Sequence, residues 1–189
     1  MEGPDYVLDN LRKAVAQLEA SKAFASLIPE VRTNVAYSLS DPKSREDVAA
    51  VEGRITVVQG KPKASGPIRF GASSHLSRVL TSLDGSRRAC MNIRFDPGLK
   101  KALIEYCGQK KLVLGFVDRG KEPHNIAMVE GASLPWAIGE VLKSTKGKAP
   151  DFYYSFGAVG REDMIVVLGD SATGVVESAL DFISFAKDS

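Results

Sequence analysis

Residues 53–80 read GRITVVQGKPKASGPIRFGASSHLSRVL, and the way these pieces join decides the fold. RITVVQ (54–59) and IRF (68–70) have the β-branched and aromatic content of strands. The basic Gly/Pro loop between them, residues 61–67, is too short for a crossover helix, so the two cannot be parallel neighbours. The same reasoning applies to residues 151–156 and 164–168, joined by the turn GAVGRED. Elsewhere strand patterns alternate with helical ones, and the expected class is a three-layer α/β/α domain with a mixed sheet. The stretch ends in Gly71-Ala72-Ser73-Ser74-His75, which opens a helix over 74–84. Free backbone N–H groups, hydroxyls and an imidazole at the positive end of a helix suit a phosphorylated ligand.

Toward the N-terminus, Val7, Leu8, Leu11, Val15, Leu18 and Phe24 recur at helical spacing, predicting an amphipathic helix over 5–25. Residues 1–27 are thus expected to pack as a helix on a body formed by 28–189, one compact domain overall. RTNVAYSL (32–39) alternates like a half-buried strand and carries Asn34, which faces either a ligand or a turn. Ser44 and Asp47 form a capping-box pattern for a short helix, SREDVAAV (44–51).

Toward the C-terminus, RACMNIRF (88–95) is a buried strand that places Asn92 and Arg94 on one face. Asp96-Pro97 caps and starts a helix to Cys107, with Gly108 as its stop. KLVLGFV (111–117) is a strand ending in Asp118-Arg119, and carboxyl ends of such strands are where open α/β sheets place ligands. A loop over 120–133, a helix over 134–143 carrying Trp136, and a last amphipathic helix over 172–186 complete the chain.

Composition sets limits. Twenty-five basic against 23 acidic residues give a net charge of +2, too little to point to nucleic acid. Cys90 and Cys107 lack metal-ligand spacing and sit in apolar runs, as buried free thiols of a reducing compartment do. No apolar run reaches the ~18 residues of a membrane helix, and the start has no apolar signal core, so a cytoplasmic protein is expected. There is no GxxxxGK[ST] loop, no GxGxxG, no HxH or HxxxH metal pair and no GxSxG elbow.

What remains is a set of residues with two readings each. His75 is a helix-capping imidazole or a catalytic one. Arg54, among apolar strand residues, either reaches solvent or meets an anion. Arg78, three residues after His75 on the same helical face, either shares its ligand or is a surface arginine. Arg94 and Asn92 line a pocket or a solvated face, Asp118-Arg119 is a turn pair or part of a site, and Trp136 fills a core or stacks on a ring. Together they describe a phosphate or diphosphate ester site.

The run IPEVRTNVAYSLSDPKSREDVAAVEGRI, followed by FGASSHLSRVL, MNIRFD, VDR and ASLPW, resembles the archaeal-type (ThiN) thiamine-phosphate synthase family over about residues 28–185. This domain is often fused behind a hydroxymethylpyrimidine phosphate kinase. The resemblance implies a mixed, mostly antiparallel sheet in a class II aldolase-like α/β/α fold. It also implies a reaction in thiamine biosynthesis: hydroxymethylpyrimidine diphosphate is joined to thiazole phosphate, releasing pyrophosphate. The family's catalytic arginine and histidine match Arg54 and His75 here. Ser73, Ser74, Arg78, Asn34, Asn92, Arg94, Asp118, Arg119 and Trp136 are then the substrate-binding candidates. Mg²⁺ is expected on the substrate diphosphate, with Asp118 and Glu130 as carboxylate candidates. The partner classes left open are a homodimer and a separate pyrimidine phosphate kinase, with neither nucleic acid nor membrane expected.

Two departures stand out. The turn before the last strand usually reads G-D-x-G-x-E-P in the family, whereas this chain has Ala158 and Asp163 at its second and last positions, and the small residue after Trp136 is Ala137 rather than glycine. The rival reading is a non-catalytic thiamine-phosphate sensor; such sensors are expected to lack the arginine and histidine that this chain keeps. An aldolase reading lacks the histidine cluster.

Overall fold

The structure, a computed structural model, describes residues 3–157 and 162–188; Ala158 lies outside them. Helix α1 (Pro4–Ala20) ends at Ser21 and a 3₁₀ segment (Lys22–Leu27) follows, so the expected single helix is two pieces. Next come β1 (Val35–Ser38), a 3₁₀ turn (Arg45–Asp47), and β2 (Val48–Val51), β3 (Ile55–Val58), β4 (Lys61–Ala64) and β5 (Ile68–Phe70). Helix α2 (Ser74–Thr81), β6 (Ala89–Arg94), α3 (Pro97–Lys110) and β7 (Leu114–Asp118) lead to a 3₁₀ turn (Arg119–Lys121). The chain closes with α4 (His124–Ala127), α5 (Ser133–Ser144), β8 (Phe152–Phe156), β9 (Met164–Gly169) and α6 (Ala172–Asp188).

Seven strands form one sheet in the order β5-β2-β1-β6-β9-β8-β7. Only β7 and β8 are parallel, and α5 lies on the crossover between them. All other neighbours are antiparallel, the expected β8–β9 hairpin among them. Alternate residues of each strand point to opposite faces. Met91, Ile93, Ile165, Val167 and Phe152 join α1, α3 and α6 in one core, whereas Cys90, Val166, Leu168 and Tyr153 join α2 and α5 in the other. These are the three layers expected. Gly115 of β7 lets α5 approach closely, since a Cβ there would stand 2.8 Å from Val141 Cγ1. The first core is braced by Tyr106, Phe152 and Phe182, whose rings meet at 5.6 to 6.1 Å; each such pair is worth ~1 kcal/mol beyond its buried area.

Several expectations are corrected. The Ser44–Asp47 capping box forms, but around one 3₁₀ turn, and VAAV is a strand rather than a helix. Val48 and Ala50 enter one core while Ala49 and Val51 enter the other, and a run buried on both sides carries no periodicity to tell strand from helix. The loop expected over 61–67 holds β4. Gln59 and Gly60, both at positive φ (50° and 74°), make a two-residue turn that folds β4 onto β3. β5 is thereby released to pair with β2, not with residues 54–59. Gly108 does not stop α3, which runs to Lys110 and ends on Lys111 in the left-handed region. The loop expected over 120–133 holds a 3₁₀ turn and α4. Cys90 and Cys107 are buried and unbridged, as expected, and burial pushes both thiols above their ordinary pKa. No helix among the described residues is long and apolar enough to cross a membrane.

Candidate active site

At the end of the sheet where β6, β7 and β8 finish and β1 and β9 begin, a cavity of about 470 Å³ opens on the α2/α5 side. Its inner wall is apolar, made by Leu76, Val117, Leu134, Ala137 and Val166, and its rim carries Arg54, His75, Arg78 and Arg119.

Each rim group has a local origin. Ser73 is the N-cap of α2, its Oγ accepting from the Leu76 amide at 3.2 Å, so His75 sits in the first helical turn. Arg78 follows on the same face. Arg119 begins the 3₁₀ turn after β7, and its Nη2 donates to Ser133 Oγ at 2.6 Å at the start of α5. Arg54, expected on the strand over 54–59, lies instead in the turn before β3. The Arg54 amide donates to the Val51 carbonyl at 3.3 Å, closing a turn in which Gly53 takes the positive φ (73°) of a type II turn. Arg54 itself has φ 70°, a costly value for a residue with a Cβ. It is held there by its carbonyl, which accepts from the Ser65 amide at 2.9 Å, and by its guanidinium, which donates to the Val31 carbonyl.

The imidazole of His75 feels this setting. Loss of water around the ring at the cavity, which disfavours its charged form, and then Arg119, Arg54 and Arg78 push its pKa down to about 4. The side chain is partly open to solvent, and the three guanidiniums act in the same direction, because a protonated ring would be a fourth cation beside them.

Asn34 and Asn92 are buried in the wall, and their amides are spent on backbone. Asn34 Oδ1 accepts from the Val35 and Val51 amides and its Nδ2 donates to the Val51 carbonyl, so the side chain stands in for a missing strand partner beyond the Ala36–Ala50 pair. Asn92 likewise accepts from the Asn34 amide and donates to the Arg32 carbonyl. Asn34→Ala is therefore expected to lower unfolding free energy by ~2–4 kcal/mol, by orphaning buried backbone groups at ~1–3 kcal/mol each. Urea unfolding reads this directly; a loss below ~0.5 kcal/mol, the size of an ordinary surface substitution, would refute the clip.

The family model of "Thiamine-phosphate synthase ThiN" matches residues 10–181. The chain belongs to this family. It is 38% identical over 179 residues to thiamine-phosphate synthase ThiN of Methanothermobacter thermautotrophicus, spanning 93% of this chain and 92% of that protein. A solved structure described as the C-terminal domain of phosphomethylpyrimidine kinase superposes with TM-score 0.90 at 36% identity, covering 95% of this chain and all of that one. L-fuculose-1-phosphate aldolase from Thermus thermophilus shares the fold, with TM-score 0.50 at 12% identity over 96% of this chain and 92% of that one.

In this ThiN chain the structure brings Arg54, His75, Ser73, Arg78, Arg119, Asn34, Asn92 and Glu130 to one cavity. Three other expected site residues lie elsewhere. Arg94 points to solvent at the end of β6 and pairs with Asp96 at 3.0 Å. Trp136 packs against the second core, one residue before Ala137, whose methyl does line the cavity. Asp118 caps the 3₁₀ turn, accepting from the Gly120 amide at 3.0 Å and pairing with Lys121 at 3.7 Å, so its carboxylate is taken and it is not in the cavity wall. Ser74 faces an adjoining cavity.

Glu162 was not foreseen as a site residue. Its carboxylate accepts from the Glu30 and Val31 amides, both at 3.2 Å, and Val31 in turn holds Arg54. A carboxylate 132 residues away from its partner gives no local signal. Tyr153 was read only as part of a strand, yet its buried ring lines the cavity. Burial raises its phenol pKa, Cys90 adding to this and Arg119 opposing it.

Proposed function

We propose that this cavity is the catalytic centre of a thiamine-phosphate synthase, a transferase, and that Arg54 and His75 act on the leaving diphosphate. The observation that carries this is the meeting of Arg54 and His75 on the rim of one apolar-floored cavity, with Arg78 and Arg119 beside them. The bond between the pyrimidine methylene carbon and the diphosphate oxygen breaks, and its electron pair leaves with the diphosphate. The lone pair of the thiazole nitrogen then forms the new bond to that carbon. Little covalent chemistry falls to the protein, so its work is to align two rings and stabilise the charge that grows on the departing oxygens. Arg54, fixed at both ends of its side chain and backbone, supplies a preset cation. His75, neutral in the free site, donates an N–H hydrogen bond to the diphosphate, whose charge draws the ring toward protonation as it leaves.

The described residues contain no group of three or more His, Cys, Asp or Glu that could hold a metal by themselves. A magnesium ion carried on the diphosphate is compatible with this because it needs few protein ligands; of the two expected carboxylates, Glu130 lines the first cavity and Asp118 does not. When bound, such an ion adds positive charge at the leaving group. The likeness to the C-terminal domain of phosphomethylpyrimidine kinase supports a pyrimidine phosphate kinase as the source of the pyrimidine diphosphate. The two buried free thiols support a cytoplasmic setting.

Incubation with hydroxymethylpyrimidine diphosphate, thiazole phosphate and Mg²⁺ should yield thiamine phosphate and equimolar pyrophosphate. Tight thiamine phosphate binding with no turnover would replace the synthase by a sensor. Glu162→Ala should lower kcat/KM by ~10-fold by loosening the Val31 clamp on Arg54, with Glu162→Gln, which keeps one acceptor oxygen, falling in between. Equal rates in all three would remove Glu162 from the positioning of Arg54.

A further inference from the structure

A second cavity of about 480 Å³ adjoins the first, sharing Val31, Asn34, Arg54, Ser73 and His75 with it. Arg32 and Arg45 reach only this one, Arg78 and Arg119 only the first, and Arg54, His75 and Ser73 line both. The two cavities therefore share a partition that carries the proposed catalytic pair.

Arg12, Arg69, Arg87 and Arg94 each pair with a carboxylate. Arg32, Arg45 and Arg54 instead donate to backbone carbonyls, of Gly53, Gly71 and Val31 respectively, and among the described residues none of the three has a carboxylate partner. Carbonyls orient a guanidinium without neutralising it. The start of α2 adds the Ser74 and His75 amides, which have no intrahelical acceptor, and among the described residues Glu30 is the one carboxylate residue in the wall. Three unneutralised guanidiniums around one cavity call for a ligand with several negative charges close together.

Resting on the reading of the site as a thiamine-phosphate synthase, we infer that the second cavity is the pyrophosphate pole. It takes the diphosphate of the pyrimidine substrate and keeps pyrophosphate after the carbon–oxygen bond breaks, while Arg78 and Arg119 hold the thiazole monophosphate in the first cavity. Two highly charged anions each keep their own cations and stay apart, and only the reacting carbon and nitrogen meet at the partition.

Calorimetric titration of the full chain with inorganic pyrophosphate, and separately with thiazole phosphate, tests this without turnover. Arg45→Gln and Arg32→Gln should each weaken pyrophosphate binding by ~10-fold, the worth of one charge-assisted contact, and leave thiazole phosphate binding unchanged. Arg78→Gln should do the reverse. Because Arg45 also anchors Gly71 and Arg32 anchors Gly53, unfolding of both variants is measured alongside, and a binding loss without a stability loss is the expected result. Wild-type pyrophosphate affinity in both Arg32→Gln and Arg45→Gln, or equal weakening of both ligands in every variant, would overturn the assignment. If the wild type binds both anions at separate sites yet forms no thiamine phosphate, the two-pole division holds and the synthase reading alone fails.

Discussion

Arg54→Ala is expected to lower kcat for thiamine phosphate formation by ~10²–10³-fold, the usual cost of removing one preorganised donor from a developing anion. Most of the loss should fall on kcat rather than on the KM for thiazole phosphate, because the guanidinium stands in the partition where the diphosphate departs. Arg54→Lys should recover little. Arginine can keep one N–H on the Val31 carbonyl and aim the others at the leaving group, whereas an ammonium is a point charge without that fork. The backbone contributes a separate check. Arg54 occupies φ 70°, so Arg54→Gly should relax the local strain and fold at least as stably as Arg54→Ala while being equally inactive. Single-turnover measurements on the three variants separate these effects; an unchanged rate in Arg54→Ala removes the residue from the mechanism.

The second large effect concerns His75. Its pKa in the free protein is pushed down to about 4, so the ring stays neutral as pH falls through 6.5 and gains a proton only near pH 4. Because kcat/KM also reports the substrates' own phosphate ionisations near pH ~6, the titration of His75 is read on the free protein itself. Arrival of pyrophosphate reverses the sign. The anion offsets the three guanidiniums and favours the protonated ring, so the pKa of His75 should rise by at least ~1 unit on binding. A histidine-selective NMR titration with and without pyrophosphate measures both values. A free-protein pKa near 6.5 that pyrophosphate does not move would contradict the role. His75→Ala should cost ~10²-fold in kcat, within the range of a positioned proton donor, and His75→Asn, which keeps a neutral donor, should retain part of the rate.

These two variants and Asn34→Ala should separate cleanly. Asn34 lines the same cavity but is predicted to act on stability, through Val51, whereas Arg54 is exposed, has only carbonyl partners and should leave unfolding nearly unchanged. The contrast matters because sequence reading placed both among the site residues. The oxygen of the Asn34 amide already accepts from two backbone groups, so its loss acts first on the fold.

Much of the chain was legible by itself because the signals are short-ranged. Ser73 before α2, Asp96-Pro97 before α3 and the apolar spacing of α6 act within one or two helical turns and appear where they were read, and the spacing of α1 holds as far as Ala20. The short β8–β9 connection and the GASSH helix start follow in the same way. The resemblance to the ThiN family likewise rests on residues in chain order. Four-residue apolar runs such as VAAV were misread because burial on both faces erases the period that distinguishes strand from helix.

Only tertiary structure decided which polar residues form the site. Arg54, His75 and Arg119 come from three separate turns, and the sheet order carries them to one end of the domain. The same packing sends Arg94 to solvent and Trp136 into a core, and it commits Asp118 to its own turn. Whether an arginine is neutralised depends on which carbonyl or carboxylate lies beside it in space. That choice divides Arg32, Arg45 and Arg54 from the ion-paired surface arginines, and it is set by contacts between segments far apart in the chain.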